Sequence, residues 1–208
     1  MSSPDIWIVR TGTANLASVL AAFKRIGAAP QITDSPAIVR RAERVVLPGV
    51  GAFGPAMDTL EEQDLIGALE DRIRLDKPTL AICLGMHLLG TRSEESPDAE
   101  GLGVYDAVAR RFPQTVTTPQ LGWNMVHAPA RSRFLSSGFG YFAHSYRLVD
   151  SPPGWIAATT DYAGLFSAAL ERGSVLACQF HPEISGEWGL SLLRRWFHDS
   201  LVEDSAAC

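Results

Sequence analysis

Thr79-Leu80-Ala81-Ile82-Cys83 runs directly into Leu84-Gly85-Met86-His87-Leu88-Leu89, an apolar strand-like run meeting a helical one with no loop between. A strand that turns straight into a helix must bend sharply, and small residues on either side of the bend relieve its crowding. Here Ala81 and Gly85 flank a thiol, which is the layout of a nucleophile elbow. A helix starting just after Cys83 directs its positive end at the sulfur and favours the thiolate. The same residues also fit an inert cysteine buried at the end of a core strand, and the elbow alone does not choose between the two.

Outward from that turn, strand-like and helix-like runs alternate. Asp5 to Arg10 reads as a strand, and Leu16, Val19, Leu20 and Phe23 recur at helical spacing before Gly27, which can close the helix. Arg44 to Leu47 is a second buried-type strand, stopped by Pro48-Gly49-Val50-Gly51. A polar, Glu-rich stretch from Met57 to Leu75 reads as helical. Later segments, Tyr141 to Val149, Trp155 to Thr160 and Val175 to Phe180, are strand-like, and a last helix carries Leu193, Trp196, Phe197 and Leu201 on one face. Alternation of this kind predicts an α/β fold: an open, mostly parallel central sheet flanked by helices, with an antiparallel excursion late in the chain. One domain over 1–208 is expected, its last few residues disordered. In such sheets chemistry gathers beyond the carboxyl ends of the strands. The loop at Gly49, Cys83 and His181 all end strands there.

Composition narrows the classes of function. Hydrophobic residues make up 46% and charged ones 20% of 208 residues, the balance of a protein with a full core. A net charge of -5 leaves no electrostatic footprint for nucleic acid or anionic membrane. The basic pairs Arg40-Arg41, Arg110-Arg111 and Arg194-Arg195 are scattered and read as solvated helix faces. No apolar run reaches the roughly 18 residues of a membrane span. Met1 to Asp5 lacks a signal-peptide layout, so a cytoplasmic location is expected. Cys83, Cys178 and Cys208 form neither a disulfide framework nor a metal-binding pattern. No cofactor or metal is implied.

His181-Pro182-Glu183 changes the weight on Cys83. A cysteine nucleophile needs a base to take its proton and later to protonate the leaving group. The histidine needs a carboxylate to fix its tautomer. A strand-end His with Glu two residues on supplies both from one turn. Attack on an amide also creates an oxyanion, for which one backbone N–H donor is worth about 3–4 kcal/mol. Gly49 and Gly51, flanking Val50, would let a peptide N–H face it.

Together these segments resemble the class I (triad) glutamine amidotransferases, and among them the glutaminase subunits of imidazole glycerol phosphate synthase. The resemblance runs from about Ile6 to Phe197. It rests on Gly12 to Val19, Leu47 to Ala52, Cys83 to Met86, Arg92 to Ser96, Leu121 to Asn124, Tyr141 to Tyr146 and Gln179 to Glu183. It implies hydrolysis of glutamine through a thioester on Cys83, with His181 and Glu183 completing the triad. It implies an oxyanion site at Gly49, Val50, Gly51 and Leu84, and glutamine held by His87, Glu95, Ser145 and Tyr146. Asn15 and Trp123 would face a TIM-barrel cyclase subunit, the heterodimer partner that receives the ammonia in histidine biosynthesis. Glu95 also reads as a solvated loop carboxylate, Trp123 as core and Asn15 as a helix cap. His144 reads as structural, Cys178 as buried and inert, and Cys208 as incidental.

Some positions depart from that pattern. Ala81 replaces a usual glycine, Arg10 a usual acid or tyrosine, and Gln120 a usual histidine. His87 stands where glutamine is usual. An imidazole offers one donor and one acceptor against the amide's two of each, and a second imidazole beside the thiol could instead tune its pKa; a raised KM for glutamine is expected. Two other readings remain open at this point: a glutaminase subunit of a paralogous pathway, and a silent docking subunit.

Overall fold

Uninterrupted apolar runs in Arg44–Gly49 and Thr79–Cys83 are buried along their whole length, as strands covered on both faces must be. They form the middle of the central sheet. The computed structural model describes residues 5–11, 16–49 and 51–199. In chain order its first half is β1 (Asp5–Val9), α1 (Leu16–Arg25), β2 (Ala29–Thr33), α2 (Pro36–Arg41), β3 (Arg44–Gly49), α3 (Phe53–Glu62), α4 (Ile66–Arg74), β4 (Thr79–Cys83) and α5 (Leu84–Leu88). The second half is β5 (Arg92–Ser93), β6 (Val108–Arg111), β7 (Gln120–Val126), β8 (Gly138–His144), β9 (Tyr146–Leu148), β10 (Ile156–Asp161), β11 (Leu165–Arg172), β12 (Val175–Cys178), a 3-10 turn (Pro182–Ile184) and α6 (Gly186–Asp199).

The seven-stranded sheet runs β10-β11-β12-β4-β3-β1-β2. From β12 to β2 every pairing is parallel, and β10 and β11 are added antiparallel. Side chains alternate between its two faces. Ile6, Ile8, Val46, Leu80 and Ile82 pack with Val19 and Phe23 of α1 and with Leu193, Trp196 and Phe197 of α6. Val45, Leu47 and Ala81 pack on the other face with Phe53, Leu60, Leu69 and Ile73 of α3 and α4. This is the α/β architecture expected from the alternation. Gly27, at φ +88, ends α1 as expected, with the Ala28 N–H returning to the Phe23 carbonyl at 3.0 Å.

Three expectations need correction. The helical stretch from Met57 to Leu75 is two helices, not one. Asp64 adopts φ +55, which turns fully buried Leu65 inward, its N–H bonded to the Leu60 carbonyl at 2.8 Å. Arg110 and Arg111 lie on strand β6, not on a helix. The run from Tyr141 to Val149 breaks at Ser145: β8 pairs with β7, while β9 joins β6 in a separate three-stranded sheet. Arg72 was not foreseen. It is buried, and its guanidinium donates to the carbonyls of Val39, Ala42, Glu43 and Pro78, tying α2 and α4 to the start of β4. Burial without a carboxylate partner lowers its pKa to about 10.

Candidate active site

Parallel pairing of β3 with β4 sets Gly49 beside Cys83, so two strand ends meet at the carboxyl edge of the sheet. Cys83 takes φ 53 and ψ -109, a region in which an L side chain is strained. The approach of β3 to the turn explains the small residues. A Cβ on Gly85 would lie 2.2 Å from the Leu47 carbonyl oxygen, and one on Gly49 would lie 2.6 Å from the Gly85 nitrogen. Cys83 is buried. Its Sγ lies 4.0 Å from the Ala143 carbonyl oxygen and 3.9 Å from Nε2 of Gln179.

β12 pairs with β4 on the other side, and the chain leaving β12 carries His181 to the same edge. The His181 N–H is held by the Tyr141 carbonyl at 2.8 Å, and its own carbonyl accepts Ser185 Oγ–H at 2.6 Å. Pro182 opens the 3-10 turn that returns Glu183 to the imidazole. His181 Nδ1 donates to Glu183 Oε1 at 2.8 Å, both side chains nearly inaccessible. Burial acts to lower the His181 pKa, but hydrogen bonding and charge coupling to Cys83 and Glu183 outweigh it and raise it to about 10. An imidazolium between a sulfur and a carboxylate is therefore the favoured state at neutral pH. Glu183 Oε2 is buried with no hydrogen-bond partner among the described residues.

A cavity of about 180 Å³ opens over the sulfur. It is lined by Gly51, Cys83, Leu84, His87 and Glu95 and by Pro119, Ala143, His144, Ser145 and Tyr146. It is smaller than the roughly 300–1,000 Å³ of drug-sized sites, which suits a single amino acid. Glu95 is half-buried and is no simple solvated carboxylate: its Oε2 accepts the Phe53 N–H at 2.8 Å. His87 Nε2 faces Gln179 Oε1 at 2.7 Å, and burial lowers its pKa to about 4. Val50 and Asn15 lie outside the described residues. A larger open depression, about 710 Å³ and lined by residues such as Glu70, Asp76, Leu102 and Arg172, sits at the amino ends of β4 and β12, with no cysteine, serine or histidine in its lining. No group of three or more His, Cys, Asp or Glu among the described residues is placed to hold a metal.

The sequence profile of the family "Glutamine amidotransferase class-I" matches residues 12–200. The imidazole glycerol phosphate synthase subunit HisH of Thermosynechococcus vestitus is 41% identical over 98% of this chain and 100% of its own. The chain belongs to the class I glutamine amidotransferases, in their HisH branch. The chloroplastic imidazole glycerol phosphate synthase hisHF of Arabidopsis thaliana is 40% identical over 96% of this chain. The chain spans only about a third of that relative, 35%. A crystal structure of a glutamine amidotransferase superposes with a TM-score of 0.73 at 18% identity, covering 94% of this chain and 97% of that one; at that identity the likeness speaks for the fold.

In this HisH-type amidotransferase one more surface borders the site. β7 and β8 pair Leu121 with Ala143, Trp123 with Tyr141 and Met125 with Phe139, so these six apolar side chains share one face of the ribbon. Leu121, Trp123 and Phe139 are 66%, 55% and 57% exposed. Trp123 is not core. It stands edge-on to Tyr141, two residues along β8 from Ala143, whose backbone carbonyl approaches the Cys83 sulfur. Cys178 is fully buried on β12 and its thiol pKa is pushed well up, first by burial. Cys208 lies outside the described residues. No helix among the described residues is long and apolar enough to cross a membrane.

Sequence reasoning passed over four members of the site, one of them Ala143, whose carbonyl faces the sulfur. Gln179 reaches the sulfur, and Pro119 forms part of the cavity wall. His144, read as structural, also lines the cavity, with Nδ1 on the Tyr146 carbonyl at 2.8 Å and Nε2 buried without a partner among the described residues. Burial lowers its pKa to about 3. Gln179 was open to inference: it follows a strand parallel to β4, and the register Cys178 to Ile82 puts it beside Cys83.

Proposed function

We propose that the cavity binds glutamine and that Cys83, His181 and Glu183 hydrolyse its side-chain amide. The observation that carries this reading is His181, hydrogen-bonded to Glu183 on one side and coupled to the Cys83 sulfur on the other. The thiolate attacks the carboxamide carbon, and the oxygen takes the negative charge. That charge is received by the Leu84 N–H and an N–H of the Gly49–Gly51 segment. As the C–N bond breaks, the imidazolium gives its proton to the leaving nitrogen, and ammonia departs from a γ-glutamyl thioester. Water then adds to the thioester while His181 takes its proton. The C–S bond breaks, glutamate leaves and the thiolate is restored. Glu95 receives the substrate's α-ammonium, and Ser145, Tyr146 and His87 line the remainder of the pocket.

Ammonia formed here passes to a TIM-barrel cyclase subunit, completing imidazole glycerol phosphate synthesis in a heterodimer. Support comes from the exposed apolar ribbon at Leu121, Trp123 and Phe139 beside the site, and from a relative whose name joins HisH and HisF in one chain. Cys83→Ala in the assembled complex should abolish glutamine-dependent turnover and leave ammonia-dependent turnover intact. Retained glutaminase activity in that variant would remove Cys83 from the mechanism.

A further inference from the structure

The side chains behind the sulfur are arranged for more than packing. Gln179 directly follows β12, with its backbone N–H fixed on the Ala168 carbonyl at 2.8 Å, and it is fully buried. Its carboxamide has two ends and both are used. Oε1 meets His87 Nε2 at 2.7 Å, and Nε2 reaches Cys83 Sγ at 3.9 Å. An amide oxygen only accepts, so His87 must be the Nε2–H tautomer and the donor in that pair. The other end of the amide is thereby obliged to present its N–H to the sulfur.

We propose that His87 and Gln179 form a buried relay in which His87 orients the Gln179 carboxamide, and Gln179 donates an N–H to the Cys83 thiolate. This rests on the reading of Cys83 as the nucleophile. It assigns Gln179 a catalytic contact with the reacting sulfur and makes His87 a positioning residue that acts through it. His87 donates Nε2–H to Gln179 Oε1 in this neutral tautomer and would do so as the imidazolium too, so the relay does not hang on the titration of His87. The ionisable groups around the sulfur among the described residues are His181 from beyond β12, with Glu183 behind it, His87 from α5, and, on the cavity wall, His144 from β8, Tyr146 from β9 and Glu95. None of these except His181 supplies a donor placed to hold the thiolate. A second donor shares the charge of the free thiolate with His181, before attack and again once the C–S bond breaks, and an amide N–H keeps its proton throughout.

The relay is tested in the complete heterodimer by the pH dependence of Cys83 alkylation with iodoacetamide, with Cys83→Ser giving the background from other thiols. Kinetics with glutamine are measured beside it. Gln179→Glu keeps the shape and an acceptor for His87 but sets an oxygen against the sulfur. It should raise the apparent thiol pKa by about one unit, cut kcat about tenfold and leave KM near its starting value. His87→Leu should move both quantities the same way, while His87→Gln, whose amide can still donate to Gln179 Oε1, should restore them. A rise in KM on His87→Leu with kcat and the alkylation profile unchanged would overturn the relay and return His87 to the substrate. Should Gln179→Glu unfold the chain, the His87→Leu and His87→Gln pair decides alone. If Cys83→Ser retained glutaminase activity, the nucleophile reading would fail, an outcome distinct from a relay that leaves thiol reactivity unchanged.

Discussion

Glu95 Oε2 accepts the backbone N–H of Phe53 at 2.8 Å, so a carboxylate on the cavity wall also caps the first turn of α3. Ala52, at the N-cap position, has no side-chain acceptor of its own. The first helical N–H groups need partners, and Glu95 with Ser96 Oγ on Gly54 supplies them from a distant loop. Two roles on one side chain can be separated by substitution. Glu95→Gln keeps an acceptor for Phe53 but removes the charge proposed to meet the α-ammonium of glutamine. It should raise KM about ten- to hundredfold with little change in melting temperature. Glu95→Ala should raise KM similarly and also cost about 1 kcal/mol of stability. Steady-state kinetics and thermal melts of the two variants check this, and equal stabilities would deny the cap.

Two histidines of the site are held neutral by burial, His87 to about 4 and His144 to about 3. The unfolded chain takes up protons near 6.5, which the folded chain refuses, so acid favours unfolding. Stability should be unaffected by these two groups above about pH 6.5 and fall as pH drops toward 4. Each adds a slope of about 1.4 kcal/mol per pH unit once its unfolded form is protonated. Urea titrations between pH 6.5 and 4.5 should show that slope reduced by about one proton in His144→Asn. An unchanged slope would mean that His144 protonates in place.

His181 has the opposite sign. Its folded pKa, about 10, lies above the unfolded value. Its stabilisation is fully present below about pH 6.5 and is lost as pH rises toward 10. His181→Gln removes the titration, so the variant should lose less stability than the parent between pH 6.5 and 10. Melting temperatures across that range measure the difference directly.

The fold was legible because its signals are local and repeated. Buried parallel strands such as Arg44–Gly49 and Thr79–Cys83 are uninterrupted apolar runs, and Gly27 marks a helix end by its backbone freedom. The break at Asp64 was not legible, since nothing in a Glu-rich helical run announces that Leu65 must turn inward. Arg72 was missed for a related reason: its partners are main-chain carbonyls, which carry no residue signature. At the site, the residues nearest one another in sequence were easiest to read. His181 and Glu183 share one turn, and the structure does bring them to Cys83. Gln179 and His87 meet only through the register of β12 against β4, a relationship that a linear pattern does not display.

The apolar face of the β7–β8 ribbon should matter to assembly and not to the fold. Trp123, at 55% exposure, loses little packing when replaced. Buried aromatic anchors, in contrast, commonly carry 2 kcal/mol or more, by rough count, across an interface. Trp123→Glu should therefore leave the melting temperature of the free chain within about a degree or two. It should weaken association with a HisF-type cyclase subunit about thirtyfold or more, and cut partner-stimulated glutaminase activity with it. Titration calorimetry with the partner decides between this surface and another.

Cys83 is held at φ 53 and ψ -109 by the close passage of β3 over Gly85. A side chain there costs about 1–3 kcal/mol, a cost that the surrounding packing offsets. The comparison that isolates it is between Cys83→Ala and Cys83→Gly, both without a thiol. Alanine keeps a Cβ in the strained conformation, whereas glycine occupies it freely but gives up about 0.5–1 kcal/mol through its greater freedom when unfolded. Where glycine replaces alanine in relaxed backbone it is the less stable of the two. Here the order should reverse, with Cys83→Gly more stable than Cys83→Ala by about 1 kcal/mol and both inactive with glutamine. Chemical denaturation of the pair gives the answer. An alanine variant as stable as the glycine one would mean that the elbow stores no strain, and that its sharp turn serves only to expose the sulfur.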